Sequence, residues 1–573
     1  MMTINKKDVL TLLEKIAVYL ELKGENPFKV SAYRKAAQAL ERDDRSLSEM
    51  DDFTKIKGIG KGTGAVINEF LQNGESDTLK QLEKEVPPGL IPLLNLPGLG
   101  GKKLAKLYQE LGVTDAASLQ TACNSGAVEN LAGFGKKSAE KIVKAINDAN
   151  KRPERLPIAT MLPLAEKIEA SLAEIPAIKS FSRAGSLRRM RETIKDLDFI
   201  IATEAPVEVR DALLQLEHIK EVIASGETKV SVTLDDIFAI NVDFRIVKPE
   251  EFAVALHHFT GSKEHNVAMR QLAKTQGEKI NEYGIEIDET GETLTFDNEE
   301  KFFKHFGLTY IPPEVRENTG EVEAFKSATE LVQLQDIRGD LHMHTTWSDG
   351  AQSIEEMIKQ ARGKGYEYIA ITDHSKFLRV ANGLNETRLR KQREEIARLN
   401  EKYSDIHIFA GVEMDILPDA TLDFNHEFLQ EMDFVIGAIH SSFSQSKDKI
   451  MKRLYTALEC PYVTLIAHPT GRLIGRRDGY AIDVDQLIER AGETGTALEI
   501  NANPNRLDLS AEWVRKAQDA GVAIVINTDA HSFQMLEHMV YGVGTARRGW
   551  LRKETILNTW EKAKLIEFIN RKR

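Results

Sequence analysis

Three regimes of hydrophobic spacing divide the chain. Through residue 150, apolar positions recur every three or four residues, as in DVLTLLEKIAVYLEL and SAYRKAAQAL, which predicts amphipathic helices. A short pattern repeats there, as IKGIGKGTGAVINEFL (56–71), LPGLGGKKLAKLYQEL (96–111) and LAGFGKKSAEKIVKAI (131–146). Each copy has a glycine, one apolar residue, a second glycine and then a helical stripe. Residues 155–317 mix short alternating runs, which predict strands, with helical segments. From 338 onward seven apolar runs each end in polar residues: IRGDLHMHT, EYIAITDHS, IHIFAGVEMD, DFVIGAIHS, VTLIAHP, ALEINANP and VAIVINTDAH. Helical stretches such as SIEEMIKQARGKG and AEWVRKAQDAG separate them, and this alternation predicts a parallel sheet or barrel. Between these regimes, NTGEVEAFKSATELVQLQD (318–336) is polar, lacks proline and reads as a linker or connecting helix.

Length and composition add bounds. A chain of 573 residues suggests roughly three to five domains. With 42% hydrophobic and 29% charged residues it falls in the soluble globular class, not the disordered, collagenous or membrane-embedded ones. Cys123 and Cys460 are too few for a disulfide framework or a cysteine-rich zinc site, so a reducing cytosol is expected. No apolar run approaches ~18 residues, and charges interrupt the N-terminal MMTINKKDVLTLLEK, so neither a membrane span nor a signal peptide is expected. The net charge of −12 argues at first against nucleic acid. Its distribution reverses that inference. Residues 1–337 carry −10 and the remainder −2, yet residues 1–150 carry +1, with lysines placed at the glycine turns. Weak, salt-sensitive DNA binding through that module is the expectation.

The glycine pairs allow tight turns between helices. The helix that follows offers free N–H groups and a dipole suited to a phosphate, with Lys61, Lys102, Lys103, Lys136 and Lys137 close behind. One copy would read as a plain helical hairpin. Three copies point to backbone phosphate binding at Gly58, Gly60, Gly98, Gly100, Gly133 and Gly135, without sequence preference.

In FSRAGSLRRMRETIKDLDFIIAT, Gly185-Ser186 precedes Asp196-Leu197-Asp198, which opens an apolar strand. Asp196 and Asp198 share one strand face. Paired carboxylates repel unless cations separate them, and such hard oxygen donors suit Mg²⁺. Asp243, between apolar Val242 and Phe244, would complete a two-metal site. Gly185, Ser186 and Arg189 would then contact a triphosphate. A lone D-x-D usually marks a solvated face; the ordered combination is far more specific.

Nine of fourteen histidines fall in the last 236 residues. Strand C-termini of a parallel barrel share one face, so His342, His344, Asp349, His374, Glu413, His440, His468, Asp529 and His531 converge there. One buried histidine is an ordinary hydrogen-bonded core residue; six with three carboxylates suit two or three Zn²⁺, Mn²⁺ or Fe²⁺ ions. Asp373 and Asn501 are candidates to support them. His407, His426 and His538 lie off the strand ends and read as structural. Arg472, Arg476 and Arg477 read equally as a backbone guide or a solvated basic loop.

These motifs carry two resemblances. NPFKVSAYRKAAQAL, the glycine repeats, AGSLRR, DLDF, NVDFR, HFTGS, INEYGI and GLTYIPPEVREN resemble a family X DNA polymerase of the polymerase beta type over residues 1–317. HxHTxxSDG, TDH, GVE, IHSS, AHP and TDAH resemble the PHP (polymerase and histidinol phosphatase) family. The resemblance implies a multidomain chain. A helical DNA-binding domain (1–85) and helix-hairpin-helix fingers (86–152) are all-α. An α+β nucleotidyltransferase palm (153–247), a thumb (248–317) and a linker (318–337) follow, then a distorted (β/α)7 PHP barrel (338–573). It implies two Mg²⁺ or Mn²⁺ ions on Asp196, Asp198 and Asp243, a triphosphate on Ser186 and Arg189, and a sugar against Phe259 and Gly261. Asn266 and Arg270 match positions lining the nascent base pair. It implies a trinuclear phosphoesterase site with all nine ligands present.

Two departures stand out. A tyrosine usual in relatives is His258 here, which leaves sugar discrimination open. The nucleophilic lysine of the lyase relatives aligns with Val66; a Schiff base needs an amine, so no lyase activity is expected there. The implied protein is bacterial, cytoplasmic and monomeric. It would fill short gaps in primer-template DNA from dNTPs during base excision repair. Its PHP site would act as a 3′-5′ exonuclease, and related PHP polymerases also imply AP endonuclease activity or 3′-phosphate removal. The alternatives are a silent PHP scaffold on an active palm, or a small-molecule phosphatase fused to a nucleotidyltransferase with another acceptor.

Overall fold

The computed structural model describes residues 6–43, 47, 50, 52–96, 99–150, 154–235, 238–327 and 330–572. Among them no helix is long and apolar enough to cross a membrane.

The N-terminal region is helical, with Lys6–Lys23, Pro27–Arg42, Lys61–Asn73, Asp77–Glu85, Gly101–Leu111, Ala116–Asn124 and Lys136–Asn150. Local chemistry sets the boundaries. Asn26 accepts the Phe28 N–H at 2.9 Å just before Pro27, and Asp115 accepts the Ser118 N–H at 2.8 Å. The apolar stripes meet in one core that runs from Val9 to Ile146 and includes Leu13, Ile16, Ile67, Leu104 and Leu119. That core crosses the expected boundary at residue 85. The turns Pro88–Leu90 and Pro92–Asn95 supply Leu90 and Leu93 to it.

The palm is a five-stranded sheet in the order Ser180–Arg183, Leu197–Ala202, Asn241–Val247, Lys229–Leu234, Ile219–Ser225. Only the pair Leu197–Ala202 and Asn241–Val247 runs parallel. Alternation along Asn241–Val247 buries Val242, Phe244 and Ile246, and Phe244 stacks on Phe199 with centroids 5.6 Å apart.

The thumb packs helices Phe252–Thr260, Lys263–Thr275 and Glu299–His305 against a small antiparallel sheet. The segment expected as a linker is packed down: Phe325 and Leu331 enter the thumb core, and Glu321 is buried on His265 at 2.7 Å.

The last region holds seven parallel strands in sequence order. They are Gly339–Met343, Tyr368–Ile371, His407–Asp415, Phe434–Ala438, Leu465–Ile466, Ala497–Asn501 and Ile524–Asn527. A parallel bridge from Met343 to Ala530 brings the seventh back to the first. The interior is filled by Leu341, Ala370, Phe409, Ile436, Leu465 and Val525, so the strand C-termini form the open face. Palm and barrel are joined through Arg472. Its guanidinium meets Glu192 at 2.7 and 3.2 Å, while Leu507 inserts into the palm core. Arg472 is therefore an internal partner, neither a backbone guide nor a solvated side chain.

Candidate active sites

The palm site follows from strand register. Asp198 and Asp243 are direct partners on the parallel pair. Burial, then Asp243 and Asp196, pushes the Asp198 carboxyl up to about 6. A buried carboxyl raised by two carboxylate neighbours marks a place for cations. Asp243 also accepts the Ser231 hydroxyl at 2.5 Å and meets Lys229 at 2.9 Å. Gly185 closes the site from the other side. Its φ is +58°, and a Cβ there would stand 2.2 Å from an Asp198 carboxylate oxygen. Glycine is thus required both for the backbone and for the space.

Beside the carboxylates lies a cleft of about 560 Å³ lined by Ser186, Arg189, His258, Phe259, Gly261 and Asn266. The structure therefore brings together most of the expected nucleotide contacts. Arg189 is held by Glu317 at 3.1 Å and by the Thr260 carbonyl. Asn266 donates to the His258 carbonyl at 2.7 Å. Phe259 is covered by the Arg245 guanidinium at 4.8 Å. Arg270 stands exposed one turn beyond Asn266 on the same helix. Sequence reasoning missed Arg155 and Arg191, which line the same cleft; no local motif marks either.

The barrel face gathers all nine expected residues. Three overlapping groups have ligand atoms within 4.8 Å of one another: His344, Asp349, His374 and His531; His342, His344 and Asp529; His374, Glu413 and His440. His468 joins them through Glu413, its Nε2 lying 3.0 Å from a Glu413 oxygen. The rings of His344 and His374 stack at 4.2 Å. Asp529 and His468 sit at φ +52° and +29°, a strained backbone that persists only where surroundings enforce it.

A chain of buried carboxylates supports these groups. Glu499 accepts His342 Nδ1 at 2.8 Å and the His468 N–H at 2.7 Å. Asp415 faces His440 Nδ1 at 3.2 Å. Asp373 takes the N–H groups of Thr345 and Ser348 at 2.8 and 3.1 Å, shaping the turn between His344 and Asp349. Asn501 donates to Asp529 at 3.0 Å. Glu499 and Asp415 escaped the sequence reading, although Asp415 stands two residues after Glu413 on one strand face.

The donor set fits divalent metal. Burial opposes charge on His440, yet Glu413 and Asp415 prevail and raise it to about 10. The same balance raises His342 well above its ordinary range. A site that would protonate its own imidazoles to balance its carboxylates is built for cations. His468 Nδ1 is buried with no hydrogen-bond partner among the described residues. His407 packs on Phe409 and His538 on Tyr541, apart from this cluster.

At the helical hairpins, Lys61, Lys102, Lys103, Lys136 and Lys137 are exposed in the first turns of their helices. The space over Gly60, Gly100 and Gly135 is open to 4 Å, and Gly58 and Gly133 take φ of +115° and +91°. Gly98 lies outside the described residues. Val66 is buried in the helical core, so no nucleophile occupies that position.

Family models match four segments: a helix-hairpin-helix domain at 4–76, a SAM-like helix-hairpin-helix tandem at 90–148, the DNA polymerase beta thumb at 255–317 and the PHP domain at 340–503. The DNA polymerase/3′-5′ exonuclease PolX of Bacillus subtilis (strain 168) is 59% identical over 567 residues, covering 99% of this chain and 100% of that protein. Probable phosphatases of Acetivibrio thermocellus and Caldanaerobacter subterraneus are 29% and 30% identical. Each covers 34% of this chain, and the matches span 80% and 75% of those proteins.

Proposed function

We propose that this chain, which belongs to the PolX family of DNA polymerases, fills short gaps in DNA at the palm and trims 3′ ends at the barrel. It is a DNA polymerase with a 3′-5′ exonuclease, acting on DNA and dNTPs with divalent metal. The observation that carries the reading is the presence of two separately built cation sites in one chain of this family: Asp198 opposite Asp243 in the palm, and the imidazole-carboxylate groups on the barrel face.

In the palm, Ser186 and Arg189 hold the triphosphate, and Phe259 and Gly261 bound the sugar. Asp196, Asp198 and Asp243 would hold two Mg²⁺ or Mn²⁺ ions. On the barrel, the nine donors would hold two or three Mn²⁺, Zn²⁺ or Fe²⁺ ions. Bound there, such ions supply Lewis-acid stabilisation of phosphate charge and an acidified water. Glu499 and Asp415 keep the proton of His342 and His440 on Nδ1, which leaves Nε2 as the ligand atom. The exposed lysines at the hairpin turns grip the DNA backbone without reading bases. Base excision repair in the bacterial cytoplasm, by a monomer, is the setting this chemistry suits. AP-site cleavage is a further activity of the barrel within the same reading.

A gapped substrate with a 5′-labelled primer and Mn²⁺, with and without dNTPs, tests both activities in the same lanes. Asp196→Ala with Asp198→Ala should abolish extension and spare degradation, and His342→Ala with His344→Ala should do the reverse. Loss of both activities in either folded double variant would overturn the two-site reading. A barrel that purified without metal would instead be a scaffold.

A further inference from the structure

Arg548 ends the helix Met539–Arg548 of the barrel and is half-buried. Among the described residues it forms no ion pair, and its buried Nε has no hydrogen-bond partner. Its neighbour Arg547 contrasts with it, donating to Glu314 at 2.8 Å and to the Val332 carbonyl at 2.9 Å. A buried guanidinium nitrogen left without an acceptor is costly. Burial pulls its pKa down and Arg191 acts in the same direction, against the pull of Glu192 and Glu317.

Arg548 opens into a cavity of about 500 Å³ whose wall also includes Arg191, Glu314 and Glu317. These two carboxylates are already engaged. Glu314 is taken by Arg547, and Glu317 by Arg189 at 3.1 Å and Arg191 at 3.5 Å. Glu192, the other nearby acid, is taken by Arg472. On the far wall Arg515 covers Trp550 at 4.7 Å, and Glu512 and Asp519 are exposed. Arg191 and Glu317 line this cavity and also the nucleotide cleft that holds Ser186 and Arg189. The two spaces therefore meet at Arg191.

We propose that this cavity is a binding site for inorganic pyrophosphate, in which Arg548 of the barrel and Arg191 of the palm receive the product as it leaves Ser186 and Arg189. The inference rests on the polymerase reading. In that reaction the primer 3′ oxygen bonds to the α-phosphorus, the α–β anhydride bond breaks and its electron pair departs with pyrophosphate. A guanidinium fork lacking a carboxylate is the partner such an anion needs. The PHP barrel thus contributes a residue to the synthetic half of the cycle.

The test compares full-length wild type, Arg548→Met and Arg548→Lys in extension of a gapped primer at fixed free Mg²⁺, with inorganic pyrophosphate titrated. In Arg548→Met the inhibition constant for pyrophosphate should rise about tenfold, the worth of one charge-assisted contact, with no matching rise in KM for the dNTP. Arg548→Lys should recover part of the loss. A thermal melt should show Arg548→Met folded at least as well as wild type, because an unpaired charge is removed. An unchanged inhibition constant, or a dNTP KM that rises in parallel, would overturn the proposal. Failure of the wild type to extend the primer would instead overturn the polymerase reading.

Discussion

Glu499→Gln is a change of one atom at the centre of the barrel site. Glu499 is wholly buried, and its two oxygens accept four donors. One faces His342 Nδ1 at 2.8 Å and Asn527 Nδ2 at 3.0 Å; the other faces the His468 N–H at 2.7 Å and Asn501 Nδ2 at 3.3 Å. A carboxamide offers acceptors on one side only. Its NH₂ must confront either the backbone N–H of His468 or the ring of His342. In the second case His342 can avoid the clash only by moving its proton from Nδ1 to Nε2, the nitrogen that lies 3.5 Å from both Glu413 and Asp529. That nitrogen is then no longer a ligand. In the first case the strained turn at His468 loses its anchor. Either route should weaken metal affinity about 10- to 100-fold, the usual effect of removing a carboxylate behind a ligating histidine. Half-saturating Mn²⁺ for 3′ hydrolysis of a labelled primer should rise by that factor while palm extension persists. A variant with an unchanged Mn²⁺ requirement would refute the reasoning, even if its maximal rate fell.

Three other outcomes follow from the same geometry. Gly185→Ala should cut gap filling by about 100-fold or more, because a misplacement near 1 Å is already that costly, and should leave 3′ hydrolysis measurable; retained extension would refute the close approach to Asp198. Glu299 in the thumb is held down to about 2: burial would raise it, but Arg316 and Arg188 prevail. Its stabilisation, about 3 kcal/mol by linkage, is present above pH ~4.5 and lost as pH falls towards 2. Acid unfolding followed by circular dichroism should therefore lose that component in Glu299→Gln. Finally, Lys61, Lys102 and Lys136 changed together to Ala should lower the slope of log affinity for gapped DNA against log salt by about 2 to 3; an unchanged slope would remove the hairpins from the interface.

What the sequence made legible was chemistry tied to local periodicity. The seven apolar runs became seven parallel strands in chain order, and the polar ends of six of them carry the clustered candidate donors, while the end of Ala497–Asn501 carries Glu499 and Asn501 behind them. The Asp198–Asp243 pairing was accessible for a similar reason: two short strands with one acid each, flanked by apolar residues. Groups defined by a distant partner were not accessible. Arg472 stands 280 positions from Glu192, and nothing around it distinguishes a pairing arginine from a solvated one. Arg155 and Arg191 reach the cleft beside Ser186 and Arg189 only through the fold. Composition also misled where it averages. Residues 318–337 are polar as a set, yet Phe325, Leu331, Val332 and Ile337 are buried, and four apolar anchors suffice to pack a short segment against the thumb and barrel. Past residue 85, where the resemblance implies a division, tight turns at Pro88–Leu90 and Pro92–Asn95 place Leu90 and Leu93 in the same core as the preceding helices.

The net charge illustrates the same distinction. A total of −12 counts every carboxylate alike, but acids gathered in one place raise the proton affinity of Asp198 in the palm and of His342 and His440 on the barrel. Carboxylates gathered in that way suit divalent cations, which once bound would cancel their repulsion of a phosphate backbone. On the proposed reading, excess acid is part of the means by which the chain handles an anionic substrate. The sign of the total carries less information than the places where acids have been brought together.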